Sequence, residues 1–232
     1  MRRMRSLGVL VSCAIIAGTL FTAPAGATPL SWNLAADFRR APDQANPGPD
    51  QYGNPEVWFF MAGLGEKPAT YELLTTFVSN AFDVEGLEQW QGIFDPGDPN
   101  AKLPAVGVNA TGIDQHPTTF TWPADAIRLH PLRKRSVVIG WQSPIDGSIV
   151  FDARYETLDY TGGNGYQWGA FVQRGGVFSP RSSGYTSGGG VEYIDGVTLS
   201  AGDFLYLVLG SFEGDYSYDS VQFDLTVTEV QS

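Results

Sequence analysis

Hydrophobic and polar residues alternate with a period of two along the second half of the chain. The pattern is clear in residues 135–159, where a turn from Pro144 to Gly147 separates VVIGW from IVFDARY. It returns in residues 221–230, where valine, phenylalanine and leucine alternate with glutamine, aspartate and threonine. Because successive side chains of a strand point to opposite faces, the alternation predicts strands of a half-buried antiparallel sheet.

Shorter segments rich in β-branched and aromatic residues predict further strands, and residues 28–56 are predicted to form loops because proline, asparagine and aspartate dominate them. No segment combines helical periodicity with both a cap and a stop signal. The predicted strands are residues 57–62, 71–78, 88–94, 104–110, 118–122, 126–130, 137–141, 148–158, 166–173, 191–199, 204–210 and 221–230. Many short strands joined by glycine-rich turns predict an all-β fold, a sandwich of two antiparallel sheets of the jelly-roll type.

The first 27 residues have the features of an export signal. A basic start is followed by an apolar run over residues 7–21 and by Ala25-Gly26-Ala27, a small-x-small cleavage pattern. The run is too short to span a bilayer, so no membrane span is expected in the mature chain. Cys13, the only cysteine, would leave with the signal unless it were a lipid-attachment site. We therefore expect a secreted, cysteine-free domain over residues 28–232, stabilised by its core and not by disulfides.

The charge of the chain argues against some partners. Lysine and arginine number 14 against 25 aspartates and glutamates, a net charge of −11. Nucleic acid and anionic surfaces are disfavoured partners for so acidic a protein. Acidity also keeps an exported protein soluble, which is a sufficient reason for it.

No catalytic motif stands out in the sequence. There is no Gly-x-Ser-x-Gly, no cysteine beyond the signal and no His-x-His or HExxH among the two histidines, His116 and His130, each of which precedes a proline. A pair of carboxylates acting as a glycoside hydrolase or lyase stays open, because such a pair meets in space and not in sequence. The sequence favours a non-enzymatic role over an enzymatic one.

Asp215, Ser217 and Asp219 stand at alternate positions in an oxygen-rich loop, which is typical of calcium ligands. The EF-hand pattern fails, because Ser220 and Thr226 occupy the positions that need glycine and glutamate. Calcium is the one cofactor that the sequence suggests. An ordinary turn, in which these residue types are also common, is the alternative.

Aromatic residues beside polar ones supply the groups that bind sugars, since flat rings stack on C–H faces while amides and hydroxyls bind the polar edges. Residues of this kind are Tyr166, Trp168, Tyr185, Tyr216 and Tyr218, and Trp90 between Gln89 and Gln91. Tyr166 and Trp168 share one strand face with Ala170 and Val172, so a place in the core is their alternative. The tyrosines at 185, 216 and 218 are predicted to lie in loops, where binding residues concentrate.

Several motifs resemble a β-sandwich module found in many exported bacterial proteins, a family that is similar to carbohydrate-binding jelly rolls and has no established activity. The motifs are Ala36-Asp37-Phe38, Asn46-Pro47, Trp58, Leu129-His130-Pro131, Val137-Val138-Ile139-Gly140-Trp141 with Pro144 and Gly147, Gly165, Val197-x-Leu199-x-x-Gly202-Asp203, and Asp219 with Phe223, Leu225 and Val227. The resemblance implies the fold and adds little about chemistry. We expect an exported, non-enzymatic binding module for carbohydrate or cell-envelope glycan, with a structural or protein-interaction component of the envelope as the alternative.

Overall fold

A computed structural model describes residues 28–39, 45–92, 102–159 and 162–231. Its elements are β1 (Ser31–Asn33), α1 (Leu34–Phe38), β2 (Trp58–Leu64), β3 (Lys67–Leu73), β4 (Thr76–Val78), a 3₁₀ turn (Ala81–Asp83), β5 (Leu87–Gln91), β6 (Ala105–Asn109), β7 (Ile127–His130), β8 (Ser136–Gln142), β9 (Gly147–Thr157), β10 (Tyr166–Arg174), β11 (Val177–Thr186), β12 (Gly190–Leu199), β13 (Phe204–Ser211) and β14 (Val221–Glu229). The predicted signal, with Cys13, lies outside the described residues. No helix among the described residues is long and apolar enough to cross a bilayer.

The strands form two antiparallel sheets, which confirms the predicted sandwich. Sheet A has the order β12-β9-β14-β7-β6-β5-β4, with β1 also pairing β14, and sheet B has the order β11-β10-β13-β8-β2-β3. From β7 to β14 the chain passes repeatedly from one sheet to the other. As a result, the four strands β12-β9-β14-β7 of sheet A face the four strands β11-β10-β13-β8 of sheet B. That is the strand order of a jelly roll. The earlier strands widen both sheets at one edge, and β4 to β6 extend sheet A beyond β7.

The core lies between the inner faces of the two sheets. Alternate residues of each strand supply it, among them Trp58 of β2, Trp141 of β8, Phe151 of β9 and Phe223 of β14, all at most 1% exposed. Asp37 of α1 accepts a hydrogen bond from Trp58 Nε1 at 2.9 Å, which fixes the helix to the edge of this core. A single apolar layer of this extent is sufficient to hold a β-sandwich together without crosslinks.

Two predicted strand arrangements were wrong. The turn from Pro144 to Gly147 does not join neighbours in one sheet, because β8 belongs to sheet B and β9 to sheet A. Residues 71–78 are not one strand: β3 ends at Leu73 and pairs with β2, whereas β4 begins at Thr76 and pairs with β5 in the other sheet. Period-two alternation is the same on either side of such a crossing, so it does not report a change of sheet.

Three further elements differ from the prediction. Residues 118–122 form no strand, and Trp122 makes only an isolated bridge to Gln115. The second half of β11 was predicted as part of a loop over residues 182–190, because its serines and glycine are typical of turns. β1 and α1 lie in a segment also predicted as loops; they are held by pairing with β14 and by an Asn33 cap whose side chain accepts from the Ala36 amide.

Candidate functional site

A cleft of about 640 Å³ opens on the outer face of sheet A, the face turned away from the core. Its floor is formed by β5 and β7, where polar residues alternate with core residues such as Trp90 and Leu129. Its walls come from the 3₁₀ turn after β4, from residues 118–120 and from the segment before β14. The cleft is thus placed by the strands that extend the jelly roll at this edge.

Four polar side chains form the floor: Gln89 and Gln91 on β5, and Arg128 and His130 on β7. Each is at most 8% exposed. The strand register lines up Gln89 with Arg128 and Gln91 with His130 across β6, where the intervening residues are Gly107 and Ala105. Because those two residues have little or no side chain, the long polar groups on either side share one space.

One wall is a small hydrophobic cluster separate from the main core, consisting of Ala81, Leu87, Phe120, Trp122, Ala126 and Leu158. Trp122 lies directly on β6: a Cβ at Gly107 would stand 2.9 Å from the Trp122 ring and 2.6 Å from the Glu88 carbonyl oxygen. The indole nitrogen of Trp122 donates to the Ala126 carbonyl at 2.9 Å. This cluster therefore fixes residues 111–126 over the sheet and makes a rigid side of the cleft.

Arg128 is 4% exposed, and its guanidinium is surrounded by three aromatic rings. Its Cζ lies 4.9 Å from the Phe120 ring centroid, 5.2 Å from that of Phe82 and 5.6 Å from that of Trp122. Nε and Nη2 donate to Ser220 Oγ at 3.2 and 3.0 Å, and Nη1 donates to Gln89 Oε1 at 3.4 Å. Burial lowers the pKa of Arg128 to about 10, which leaves the group charged at neutral pH.

His130 is held as a neutral imidazole. Its Nδ1 lies 2.7 Å from the Pro131 carbonyl oxygen, which only accepts, so Nδ1 carries the proton and Nε2 is an acceptor. Burial, reinforced by the nearby charge of Arg128, lowers the pKa of His130 to about 3. The cleft floor therefore offers amide groups, one imidazole acceptor and one guanidinium.

A smaller cavity of about 110 Å³ adjoins the cleft and shares Asp159 and Tyr218 with it. Asp159 accepts from Thr119 Oγ1 at 2.7 Å. Asp219, on the far side of Tyr218, is 2% exposed, and its Oδ2 is buried with no hydrogen-bond partner among the described residues. Desolvation, with the charges of Asp215 and Asp159 adding to it, raises the pKa of Asp219 to about 7.

Of the predicted sugar-binding residues, only Tyr218 lines the cleft, and it is 44% exposed. Tyr185 is 45% exposed but lies on edge strand β11, where its ring packs 4.0 Å from that of Phe212. Tyr216 is half-buried with its ring 6.4 Å from that of His130.

Tyr166 and Trp168 occupy the core side of β10, as their alternative interpretation held. Tyr166 is 1% exposed, and Trp168 packs between the rings of Tyr155 and Tyr193 at 6.0 and 5.7 Å. Their ring faces are therefore taken by other side chains and do not offer a stacking surface.

The residues predicted to bind calcium lie in different environments. The Asp215 carboxylate accepts from the Ser217 amide at 3.0 Å, which is an ordinary turn contact, while Asp219 is buried. Within residues 28–39, 45–92, 102–159 and 162–231, no three histidine, cysteine, aspartate or glutamate side chains gather to hold a metal ion. Calcium binding at these residues stays a prediction.

Arg128, Phe82, Phe120 and Asp159 were not among the predicted site residues, and His130 was considered only as one of two histidines without a catalytic or metal motif. A signal was present: Gln89-Trp90-Gln91 and Arg128-Leu129-His130 each place two long polar side chains on one strand face opposite a core residue. What the sequence does not contain is the register that brings those two strands together across small residues of a third.

Comparisons with known proteins add little to this geometry. No protein-family model and no curated protein matches the chain. Among solved structures, a family 51 carbohydrate-binding module from Clostridium perfringens in complex with methyl-galactose is 13% identical, covering 66% of this chain and 99% of that one, with a TM-score of 0.35. Murine APRIL is 10% identical over 75% of this chain and 99% of its own (TM-score 0.29), and a Cellvibrio mixtus carbohydrate-binding module in complex with cellotriose is 11% identical over 68% and 100% (TM-score 0.25). At these TM-scores the likeness supports no statement about a ligand.

Proposed function

We propose that this protein is an exported, non-enzymatic binding module and that its ligand is a carbohydrate held in the cleft on sheet A. The observation that carries the proposal is the composition of the cleft, in which aromatic rings stand on the walls above a floor of buried amide groups. Apolar pockets with a few convergent polar groups are the usual form of a small-molecule site.

Two polar groups of the cleft floor are available to hydrogen-bond a ligand. Gln89 Nε2 donates to Gln91 Oε1 at 2.9 Å, so the two amides orient each other. The Gln91 amide nitrogen has no acceptor among the described residues, and His130 Nε2 has no donor there. Sugars present hydroxyl groups that donate and accept at once, so they match both of these groups.

The walls supply rings at which a sugar can stack. Phe82 is 39% exposed and Tyr218 is 44% exposed, and both line the cleft. Aromatic rings of this kind stack on the C–H faces of sugars. Both rings stand on short connecting segments and not on the strands, which is where binding residues concentrate.

Titration of the secreted protein with a panel of oligosaccharides tests the proposal. We expect binding that weakens about tenfold or more in Gln91→Ala and in Tyr218→Ala, because each removes a hydrogen-bonding or stacking partner of the sugar. Tyr185→Ala is the matched control, an equally exposed tyrosine outside the cleft, and should leave affinity unchanged. Binding to no glycan, or equal losses in all three variants, would show that the cleft is not a sugar site.

A further inference from the structure

Arg128 is a buried cation that forms no ion pair with the described carboxylates. It is 4% exposed, yet none of the described carboxylates lies within the 4.0 Å of an ion pair. The more exposed Arg154 has two such partners, Asp152 and Glu192, each at 2.9 Å. Charges removed from water are normally paired, since an unpaired one carries a desolvation cost of several kcal/mol.

The partners that Arg128 does have are neutral. Its three hydrogen bonds to described residues go to the Ser220 hydroxyl and the Gln89 amide, and the surrounding groups are the rings of Phe82, Phe120 and Trp122. A guanidinium has five N–H groups. Two of them, one on each terminal nitrogen, therefore have no acceptor among the described residues. The rings and Ser220 fix the position of the group, but they do not neutralise its charge.

Asp159 does not fill this role. It also lines the cleft, and its charge favours the charged form of Arg128, but its Oδ1 is engaged by Thr119 and it makes no contact with the guanidinium. The arrangement is that of a fixed cation held at the floor of an open cleft with two donors to spare.

We infer that the carbohydrate bound in this cleft carries a carboxylate that pairs with Arg128, so that the ligand class is a glycan containing uronic acid. The inference rests on the proposed function and specifies its ligand. Guanidinium groups bind carboxylates through two parallel N–H donors, the number that Arg128 has available. A single carboxylate per sugar fits better than phosphate or dense sulfate, because the cleft holds the carboxylates of Asp83 and Asp159 against one further cation, Lys102, and the whole chain carries a net charge of −11.

Calorimetric titration with trisaccharides of galacturonate, glucuronate and mannuronate, with their methyl esters, and with the matching neutral trisaccharides tests the inference. At least one acidic trisaccharide should bind about tenfold to a hundredfold more tightly than both its ester and its neutral counterpart, the range expected for a charge-assisted hydrogen-bond pair. The ester comparison needs no protein variant, so it holds even if changes at Arg128 impair folding.

Arg128→Gln should remove this preference, so that the acidic trisaccharide, its ester and the neutral trisaccharide bind the variant with equal affinity, because the amide keeps a donor to the sugar but no charge. Arg154→Gln, a change of the same kind on the same outer face of sheet A, should leave the preference intact. Equal affinity for acid, ester and neutral sugar would overturn the inference and leave carbohydrate binding standing, whereas failure of every glycan to bind would overturn the proposed function itself.

Discussion

The two sheets of the sandwich have similar inner faces but very different outer faces. On sheet B the outer face is covered by its own side chains: Met61, Val138, Phe171, Tyr206 and Val208 are buried, with Phe59, Tyr71, Phe178 and Phe204 packed against them. On sheet A, the residues of β5 and β7 that are buried to a similar extent on the outer face are Gln89, Gln91, Arg128 and His130. The first face is a closed aromatic layer, and the second is the floor of a cleft.

The stability of the fold explains the outer face of sheet B but not the outer face of sheet A. Rings such as Phe204 and Tyr206, stacked with centroids 5.2 Å apart, cover sheet B without burying a charge. The floor on sheet A instead buries a guanidinium and two amides, groups that destabilise a fold unless they are satisfied. Because the aromatic layer is a sufficient way to cover a sheet, the polar floor is the place to expect function. Variants that affect one face and not the other test this contrast.

Truncation of Trp122 should have the largest effect. Its ring is fully buried, covers Gly107 and contributes one of the three aromatic contacts of Arg128. Trp122→Ala should lower the free energy of unfolding by about 3–5 kcal/mol, the usual result of removing a large buried ring, and should abolish ligand binding because the cleft wall loses its support. Urea unfolding followed by intrinsic fluorescence measures the first, and titration with the bound glycan measures the second.

Tyr206→Ala is the counterpart on sheet B. Tyr206 is 7% exposed and packs against the rings of Tyr71, Phe178 and Phe204, so its loss should also destabilise, by about 2–4 kcal/mol. Binding should be unchanged below the unfolding transition, since the layer faces away from the cleft. Loss of binding in a folded Tyr206 variant would mean that the two outer faces are not independent.

Two glycines allow a finer comparison of the same faces. A Cβ at Gly107 would meet the Glu88 carbonyl oxygen at 2.6 Å, whereas at Gly140 of β8 the nearest atom is the flexible end of Met61, at 2.8 Å. Gly107→Ala should therefore destabilise by about 2–3 kcal/mol and Gly140→Ala by about 1 kcal/mol, because a backbone oxygen yields less easily than a methionine tip. Thermal melts of both variants check this. Equal losses would show that β6 moves as freely as Met61.

The sequence predicted the class of fold but only part of the site. Alternation identified β9 and β14 with nearly their observed bounds, because one face of each is buried and the other is not. It did not reveal β11, whose residues are mostly exposed or half-buried and carry no clear period. The cleft depends on which strands become neighbours and on loops folding back over a sheet, and both are long-range properties that local patterns do not encode.

The predicted tyrosines also show that local patterns do not identify the site. Tyr185 and Tyr218 are almost equally exposed, and both follow small or polar residues in the sequence. Only Tyr218 lines the cleft, because the segment before β14 passes over the end of β7 while β11 lies at the far edge of sheet B. Residue type and exposure are local properties, whereas proximity to Arg128 is set by the topology.

Asp219 should give the smallest effect, and it is one that depends on pH. In the unfolded chain a carboxyl of this type titrates near pH 4, but in the folded protein burial raises the pKa of Asp219 to about 7. Its contribution to stability is therefore fully present below about pH 4 and is lost as the pH rises through 7. Asp219→Asn cannot ionise, so it should be more stable than the parent at pH 8, on the order of 1 kcal/mol, and equally stable at pH 4.

The difference between parent and variant isolates this group. His130 also titrates differently on folding, but in the opposite sense: its pKa is lowered to about 3, so it destabilises the fold as the pH falls below its unfolded value near 6.5. That term is common to both proteins and cancels in their difference. Melting curves at pH 4, 6 and 8 should show the two midpoints diverging as the pH rises above 4, with most of the difference already present at pH 6. A variant that is less stable than the parent at pH 8 would contradict the assignment.

Repeating the pH 8 melts with calcium and with a chelator turns the same pair of proteins into a test of the predicted cation site. A calcium ion bound by Asp215, Ser217 and Asp219 would hold the Asp219 carboxylate ionised and remove the reason for its raised pKa. Calcium would then raise the midpoint of the parent and not that of the variant, and the parent would become the more stable of the two. Midpoints that are the same with calcium and with chelator, with the variant still the more stable protein, would show that these residues bind no calcium.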